Sequence, residues 1–222
     1  YSKPTVINNV ETLCVVPFIV NEGADKHAAI GTEKSKGTKL VSVSGHVKKP
    51  GNYEIELGTP TSELIFNMAG GIQNDNKLKA FIPGGSSVPM LPADKVDTPY
   101  DYESLAAAGT MLGSGALIVI DDSINIVEAT LRLISFYMHE SCGKCTPCRE
   151  GTRWLHQIVE RIMQNKGQLE YITKLEDICD NMAFKAFCPL ADACVAPVVS
   201  SIKYFRSDYE EYFKNVPAGA SR

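Results

Sequence analysis

Glu140-Ser141-Cys142-Gly143-Lys144-Cys145-Thr146-Pro147-Cys148-Arg149-Glu150-Gly151 is the stretch that decides how this chain is read. Its three cysteines are two residues apart from one another, and it lies between two runs of helical periodicity. Upstream, Ile124, Val127, Leu131, Ile134 and Met138 recur at spacings of three and four, which is one apolar face of a helix. Downstream, Trp154, Leu155, Ile158, Val159, Ile162 and Met163 form a second stripe, with Trp154 read as core. Leu169, Ile172, Leu175, Ile178 and Met182 form a third, and Val195, Val198, Val199, Ile202 and Phe205 a fourth. Four amphipathic helices joined by short loops predict a four-helix bundle across residues 122–222, with the tail Pro217–Arg222 loose.

Working back from the bundle, residues 31–121 read as a small α+β unit. Leu40 to Ser44 and Tyr53 to Leu57 alternate apolar and polar residues, and Lys49-Pro50-Gly51-Asn52 between them is a turn signal, so a hairpin is expected. Thr61 or Ser62 caps a short helix through Met68, which Gly70-Gly71 stops. Ala80-Phe81-Ile82 precedes the turn-prone Pro83 to Ser87, and Ala116 to Ile120 reads as a buried strand. Residues 1–30 hold a helix capped by Asn8 or Asn9 and running to about Asn21, with Pro17 inside it and Cys14 as a packing residue.

The chain has 222 residues, 44% hydrophobic and 22% charged, as in an ordinary globular protein of two modest domains. Its net charge of −4 offers no basic field to nucleic acid. Apolar runs such as Ala116–Ile120 are too short for direct membrane insertion. There is no signal-peptide pattern, and Tyr1 stands where an initiating Met would, so a piece of a longer chain is expected. Seven cysteines, three of them clustered, favour metal chemistry in a reducing compartment over a disulfide scaffold.

A cubane cluster needs thiolates converging on one small object. Two intervening residues let the chain curl so that successive sulfurs point the same way; Gly143 relaxes that curl and Pro147 stiffens it. The triple C-x2-C spacing is that of the bacterial ferredoxin run rather than the plant-type two-iron spacing. The fourth ligand is assigned to Cys188, which Pro189 follows in the ferredoxin manner, with Cys194 as its rival. Pro189 suits the first turn of a helix, so Cys188 would lie at that helix's positive end. Lys144 and Arg149 would offset negative charge, and N–H groups around Gly143 and Lys144 would donate to sulfur. Cys179, on the third stripe, reads as core, and neither His139 nor His156 is needed as a ligand. A zinc-stapled interaction bundle on the same cysteines remains the bland alternative.

The quoted stretch resembles the cluster loop of the flavoprotein (NADH-binding) subunit of respiratory complex I, and of related diaphorase subunits of NAD-reducing hydrogenases and formate dehydrogenases. Lys3 to Leu13, Phe187-Cys188-Pro189 and Ile202 to Phe205 are similar to other parts of that family. Gly45 to Gly51 resembles the hairpin of its soluble-ligand-binding β-grasp domain. The resemblance implies a remnant of the FMN/NADH-binding domain at 1–30, a β-grasp (ubiquitin-like) domain at 31–121 and a helical iron–sulfur domain at 122–222. It implies a [4Fe-4S] cluster on Cys142, Cys145, Cys148 and Cys188 that relays electrons from FMN, reduced by NADH, to the iron–sulfur clusters of partner subunits in the peripheral arm. Asn8 and Asn9 would touch FMN in the intact protein. No glycine-rich nucleotide loop is present, so FMN and NADH are expected only in the full-length protein, and no residue here is expected to be catalytic. The implied place is cytoplasmic, peripheral to the inner membrane. The early end after Tyr212-Phe213-Lys214 favours complex I over a hydrogenase-type parent.

Overall fold

The computed structural model describes residues 2–214. Tyr1 and residues 215–222, and with them the tail expected to be loose, lie outside the described residues. The first helix, α1 (Val10–Glu22), starts where the Asn9 side-chain oxygen accepts the Thr12 N–H at 3.1 Å, and ends at Gly23 with φ 96°. Pro17 lies within it. A short helix, α2 (Ala24–Ala28), follows directly.

Five strands then form one sheet: β1 (Thr38–Gly45), β2 (Gly51–Glu56), β3 (Leu78–Ile82), β4 (Leu91–Pro92) and β5 (Ala116–Asp121), in the order β2-β1-β5-β3-β4. β1 and β2 make the expected antiparallel hairpin, with Val41 opposite Tyr53. β5 returns parallel to β1, with Val43 opposite Leu117. A parallel central pair flanked by antiparallel strands, with a helical crossover on one face, is the β-grasp arrangement. Period-two alternation turns Val41, Val43, Leu117 and Val119 inward, where they meet Leu64 and Ile65 of the crossover.

That crossover segment is not the capped α-helix expected. Glu63–Met68 is a π-helical turn; the Ala69 N–H reaches back to the Leu64 carbonyl at 2.9 Å, and the Gly71 N–H to that of Ile65 at 3.0 Å. Neither hydroxyl caps it: Ser62 makes no capping bond, and the Thr61 hydroxyl donates to the Thr98 carbonyl at 2.8 Å instead. The two-residue β4 and the short helix α3 (Tyr102–Ala107), capped by Asp101, carry too little pattern to be read from sequence.

The remaining chain is the predicted bundle: α4 (Ile126–Glu140), α5 (Thr146–Met163), α6 (Glu170–Met182) and α7 (Leu190–Phe213). α4 and α6 each pack against both α5 and α7. Val127, Ile134, Leu155, Val159, Ile172, Leu175, Cys179, Val198 and Ile202 fill its centre. Trp154 corrects the sequence reading, being 50% exposed. The buried face of α5 runs through Cys148, Thr152, Leu155, Val159 and Ile162, and a residue one step from Leu155 is turned about 100° away from it.

Sheet and bundle share a third apolar cluster, in which Ala80, Ile82, Met90 and Ile120 meet Ile126 and Phe205. Polar bonds fix the junction. Asp208 pairs with Lys79 at 2.6 Å and accepts the Ile126 N–H at 2.9 Å. The Ser200 hydroxyl accepts the Met90 N–H at 3.0 Å, and the Ser86 and Tyr137 hydroxyls lie 2.9 Å apart. The Pro83–Ser87 turn is therefore part of this junction.

Candidate metal centre

Two connections meet at one end of the bundle: residues 141–145 between α4 and α5, and residues 183–189 between α6 and α7. They enclose a cavity of about 100 Å³ lined by Cys142, Cys145, Cys148 and Cys188, with Glu140, Ser141, Lys144, Ala186 and Leu190. The curl of the first loop depends on Gly143, whose φ is 79°, a left-handed conformation that costs glycine little. The Arg149 Nη1 donates to the Gly143 carbonyl at 2.6 Å and locks the curl.

Each cysteine has its own setting. Cys148 is buried in the first turn of α5, 3.2 Å from the Ser141 hydroxyl. Cys145 is the N-cap of α5 and makes no capping bond; its sulfur accepts the Phe187 N–H at 3.3 Å from the other loop. Cys142 and Cys188 are exposed at the cavity mouth. Pro189 is the N-cap of α7 rather than a first-turn residue, so Cys188 directly precedes the cap. The starts of two helices thus flank the cavity, where anionic sulfur is favoured.

The rival cysteines fall elsewhere. Cys194 is buried in the bundle core and absent from the cavity lining. Burial pushes its thiol upward, and burial pushes that of Cys179, also core as expected, up to about 12. Both thiols stay protonated at neutral pH in the metal-free chain. Cys14, expected to pack, is instead exposed, because α1 buries none of its residues. His139 and His156 are outside the cavity lining. The Gly143 N–H, expected to serve sulfur, points to the Ser141 hydroxyl at 3.4 Å. Lys144 lies 5.5 Å above the Phe187 ring, and Arg149 pairs with Glu150 at 2.9 Å, so neither cation is free of other work.

The cavity's size bears on what it could hold. A single zinc ion touches its sulfurs at about 2.3 Å and leaves no void between them. The cavity here has a volume of about 100 Å³, and among the described residues no three His, Cys, Asp or Glu side chains are disposed to hold a single ion. The donor set, four cysteines lining one cavity, fits a thiolate-bound metal centre.

Asn8 and Asn9 lie well away from this, on the approach to α1. Asn8 is exposed, and the Asn9 oxygen caps the helix. Asn9 also borders a larger cavity, about 590 Å³, between α1 and the sheet, together with Glu11, Thr12, His27 and Lys39. Glu11, a residue given no role by the sequence, fastens α1 to β1 through Lys39 at 2.5 Å and the Leu40 N–H at 2.8 Å. Burial pushes its carboxyl upward, but those two partners outweigh it and hold the group below the usual range.

The fold and the site define the class: a β-grasp unit joined to a helical bundle whose inter-helix connections bring four cysteines to one cavity. Residues 128–212 match the family model described as the NADH-ubiquinone oxidoreductase-F iron-sulfur binding region, and residues 39–119 match the SLBB domain. The chain is 50% identical over 212 residues to the F subunit of the NADH-quinone oxidoreductase of Streptomyces coelicolor, covering 96% of this chain and 47% of that one. It is 51% identical over 209 residues to the corresponding F subunit of Mycobacterium tuberculosis, covering 94% and 47%, and 45% identical over 215 residues to that of Rickettsia felis, covering 96% and 51%. A crystal structure of an NAD+-reducing nickel–iron hydrogenase aligns with TM-score 0.83 and 32% identity, over 94% of this chain and 35% of that one. The chain is similar to these F subunits over nearly all of its own length, and spans about half the length of the curated relatives it matches. Among the described residues no helix is long and apolar enough to cross a membrane.

Proposed function

We propose that this chain is the electron-relay part of an NADH-quinone oxidoreductase, with a [4Fe-4S] cluster held by Cys142, Cys145, Cys148 and Cys188. The observation that carries this is the lining of one cavity by four thiols from two segments some forty residues apart in the chain. When bound, the cluster supplies a one-electron carrier between a two-electron donor and the next one-electron acceptor. The chain's own residues do the rest. Thiolates hold the metal, the starts of α5 and α7 favour their charge, and the Phe187 N–H and Ser141 hydroxyl reach two of the sulfurs. The bundle walls exclude water from the inner side.

The rest of the reading follows from the activity of the relatives. NADH would reduce FMN on a part of the protein not included here, with Asn8 and Asn9 contributing to the flavin site, and electrons would pass to iron–sulfur clusters of partner subunits on the cytoplasmic face of the membrane. The divisions near residues 30 and 121 would separate the flavin-domain remnant, β-grasp domain and cluster domain. A hydrogenase-type diaphorase would use the same centre.

Anaerobic reconstitution with ferrous iron and sulfide tests the assignment. About four iron and four labile sulfide per chain are expected, with an electron paramagnetic signal on reduction. Cys188→Ser should lose this cluster and Cys194→Ser retain it. Zinc as the sole bound metal, or loss at Cys194 with retention at Cys188, sinks the assignment.

A further inference from the structure

The four thiols are not equivalent, and one of them, Cys148, lies against a side-chain hydroxyl. Ser141 is the C-cap of α4, held there by its N–H on the Tyr137 carbonyl at 3.0 Å. Its oxygen accepts the Gly143 N–H at 3.4 Å and lies 3.2 Å from the Cys148 sulfur. With the oxygen already accepting, its proton is available to the sulfur. A metal-bound thiolate can only accept, so the chain of bonds then runs Gly143 N–H to Ser141 O–H to Cys148 S. The bond lies on the buried cysteine, where water does not compete, and bonds in series reinforce one another. The other sulfur contact, on Cys145, comes from backbone and no side-chain substitution removes it directly.

We propose that Ser141 is a tuning residue: its hydroxyl donates to the Cys148 thiolate and raises the reduction potential of the cluster. This rests on the four-cysteine cluster assignment above. Reduction adds negative charge to the cluster, and a donor on sulfur stabilises the reduced form more than the oxidised one. A hydrogen bond to a charged group is stronger than one between neutral groups. Only the part that differs between the two redox states shifts the potential, so about a tenfold change in the reduction equilibrium is expected.

The test is an anaerobic redox titration of the reconstituted chain, followed by electron paramagnetic resonance. Ser141→Ala should bind the same iron and sulfide but reduce about tenfold less favourably, a fall of about 59 mV for one electron. Ser141→Thr, which keeps the hydroxyl, should titrate near the parent, and Ser141→Val, its shape-matched partner, should fall with Ser141→Ala. If Ser141→Ala fails to assemble, the Thr and Val pair decides alone. Equal potentials for Thr and Val, or an unshifted Ser141→Ala with full cluster content, overturns the tuning role and leaves the ligand assignment standing. Absence of a cluster in the parent chain overturns both.

Discussion

Gly151 closes the cysteine stretch and is a place where two opposing effects can be weighed. It lies inside α5, where glycine costs about 1 kcal/mol relative to alanine. On an exposed face Gly151→Ala would therefore stabilise. Here a Cβ at position 151 would come within 2.5 Å of the Met182 Cγ on α6, and closer still to its sulfur. Met182 is 1% exposed and walled in by the bundle core. Overpacking of this kind costs about 1–3 kcal/mol, which exceeds the helix-propensity gain. The expected result is a net loss of about 1 kcal/mol, or a fall of about 2–4 °C in melting temperature for a chain of this size. The single tryptophan, Trp154, is on the same helix and reports bundle unfolding in urea. Met182→Ala alone should cost about 2–5 kcal/mol by opening a cavity. In the double variant the new methyl enters that cavity, so the two effects should couple by about 0.5–3 kcal/mol. Stabilisation by Gly151→Ala, or strict additivity with Met182→Ala, would refute the claim that α5 and α6 meet closely at this residue.

Three more outcomes follow from the chemistry of single groups. Iodoacetamide near pH 8 should label Cys14, Cys142 and Cys188 of the metal-free chain by peptide mass spectrometry and leave Cys179 and Cys194 untouched; reconstitution should protect Cys142 and Cys188 while Cys14 stays reactive. Burial pushes the Asp121 carboxyl up, but the Ser123 hydroxyl and N–H, the Asn76 amide and His46 together hold it below the usual range. Its contribution is therefore present above about pH 4 and lost as pH falls through the lower, folded value, so Asp121→Asn should destabilise by about 1–3 kcal/mol at pH 7 and progressively less in acid urea titrations. Cys145→Asp should supply α5 with the side-chain cap it lacks, stabilising the metal-free fold by about 1 kcal/mol while abolishing cluster assembly in the iron and sulfide assay.

Periodicity made the bundle legible because its four helices bury apolar residues at spacings of three and four, and the hairpin because Val41, Val43 and Ile55 alternate with polar residues. The same signal misplaced Trp154: a stripe that includes both Trp154 and Leu155 is wider than the face α5 can bury, and the sequence does not say which edge is left out. Cys14 failed for a related reason. α1 is apolar around much of its circumference, exposing Val10, Leu13, Val16 and Val20, so hydrophobicity there did not imply a core. The cysteine trio was readable from spacing alone. The proline after Cys188 distinguishes it from Cys194 in the sequence, and in the structure Cys188 is exposed where Cys194 is buried. The roles of Glu11 and Ser141 left no local pattern, since each depends on a partner supplied by another loop or strand.

The helix starts at the cavity bear on how the charge of its sulfurs would be met. Helices prefer Ser, Thr, Asp or Asn at the N-cap, and replacing these costs about 0.5–2 kcal/mol. α5 begins at Cys145 and α7 at Pro189, neither of which caps its helix through a side chain. α1, α3 and α4 begin at Asn9, Asp101 and Asn125, each of which does, whereas α2 and α6, which also begin away from the cavity, start at Gly23 and Leu169 without a side-chain cap. The two helix starts nearest the thiols are thus left without a side-chain cap, and their positive ends face the sulfurs. In a chain of net charge −4, thiolates formed at the cavity would need compensation from such local dipoles. An uncapped start is not by itself a mark of the site, since α6 has one as well; what sets α5 and α7 apart is that theirs border the cavity that Cys142, Cys145, Cys148 and Cys188 line.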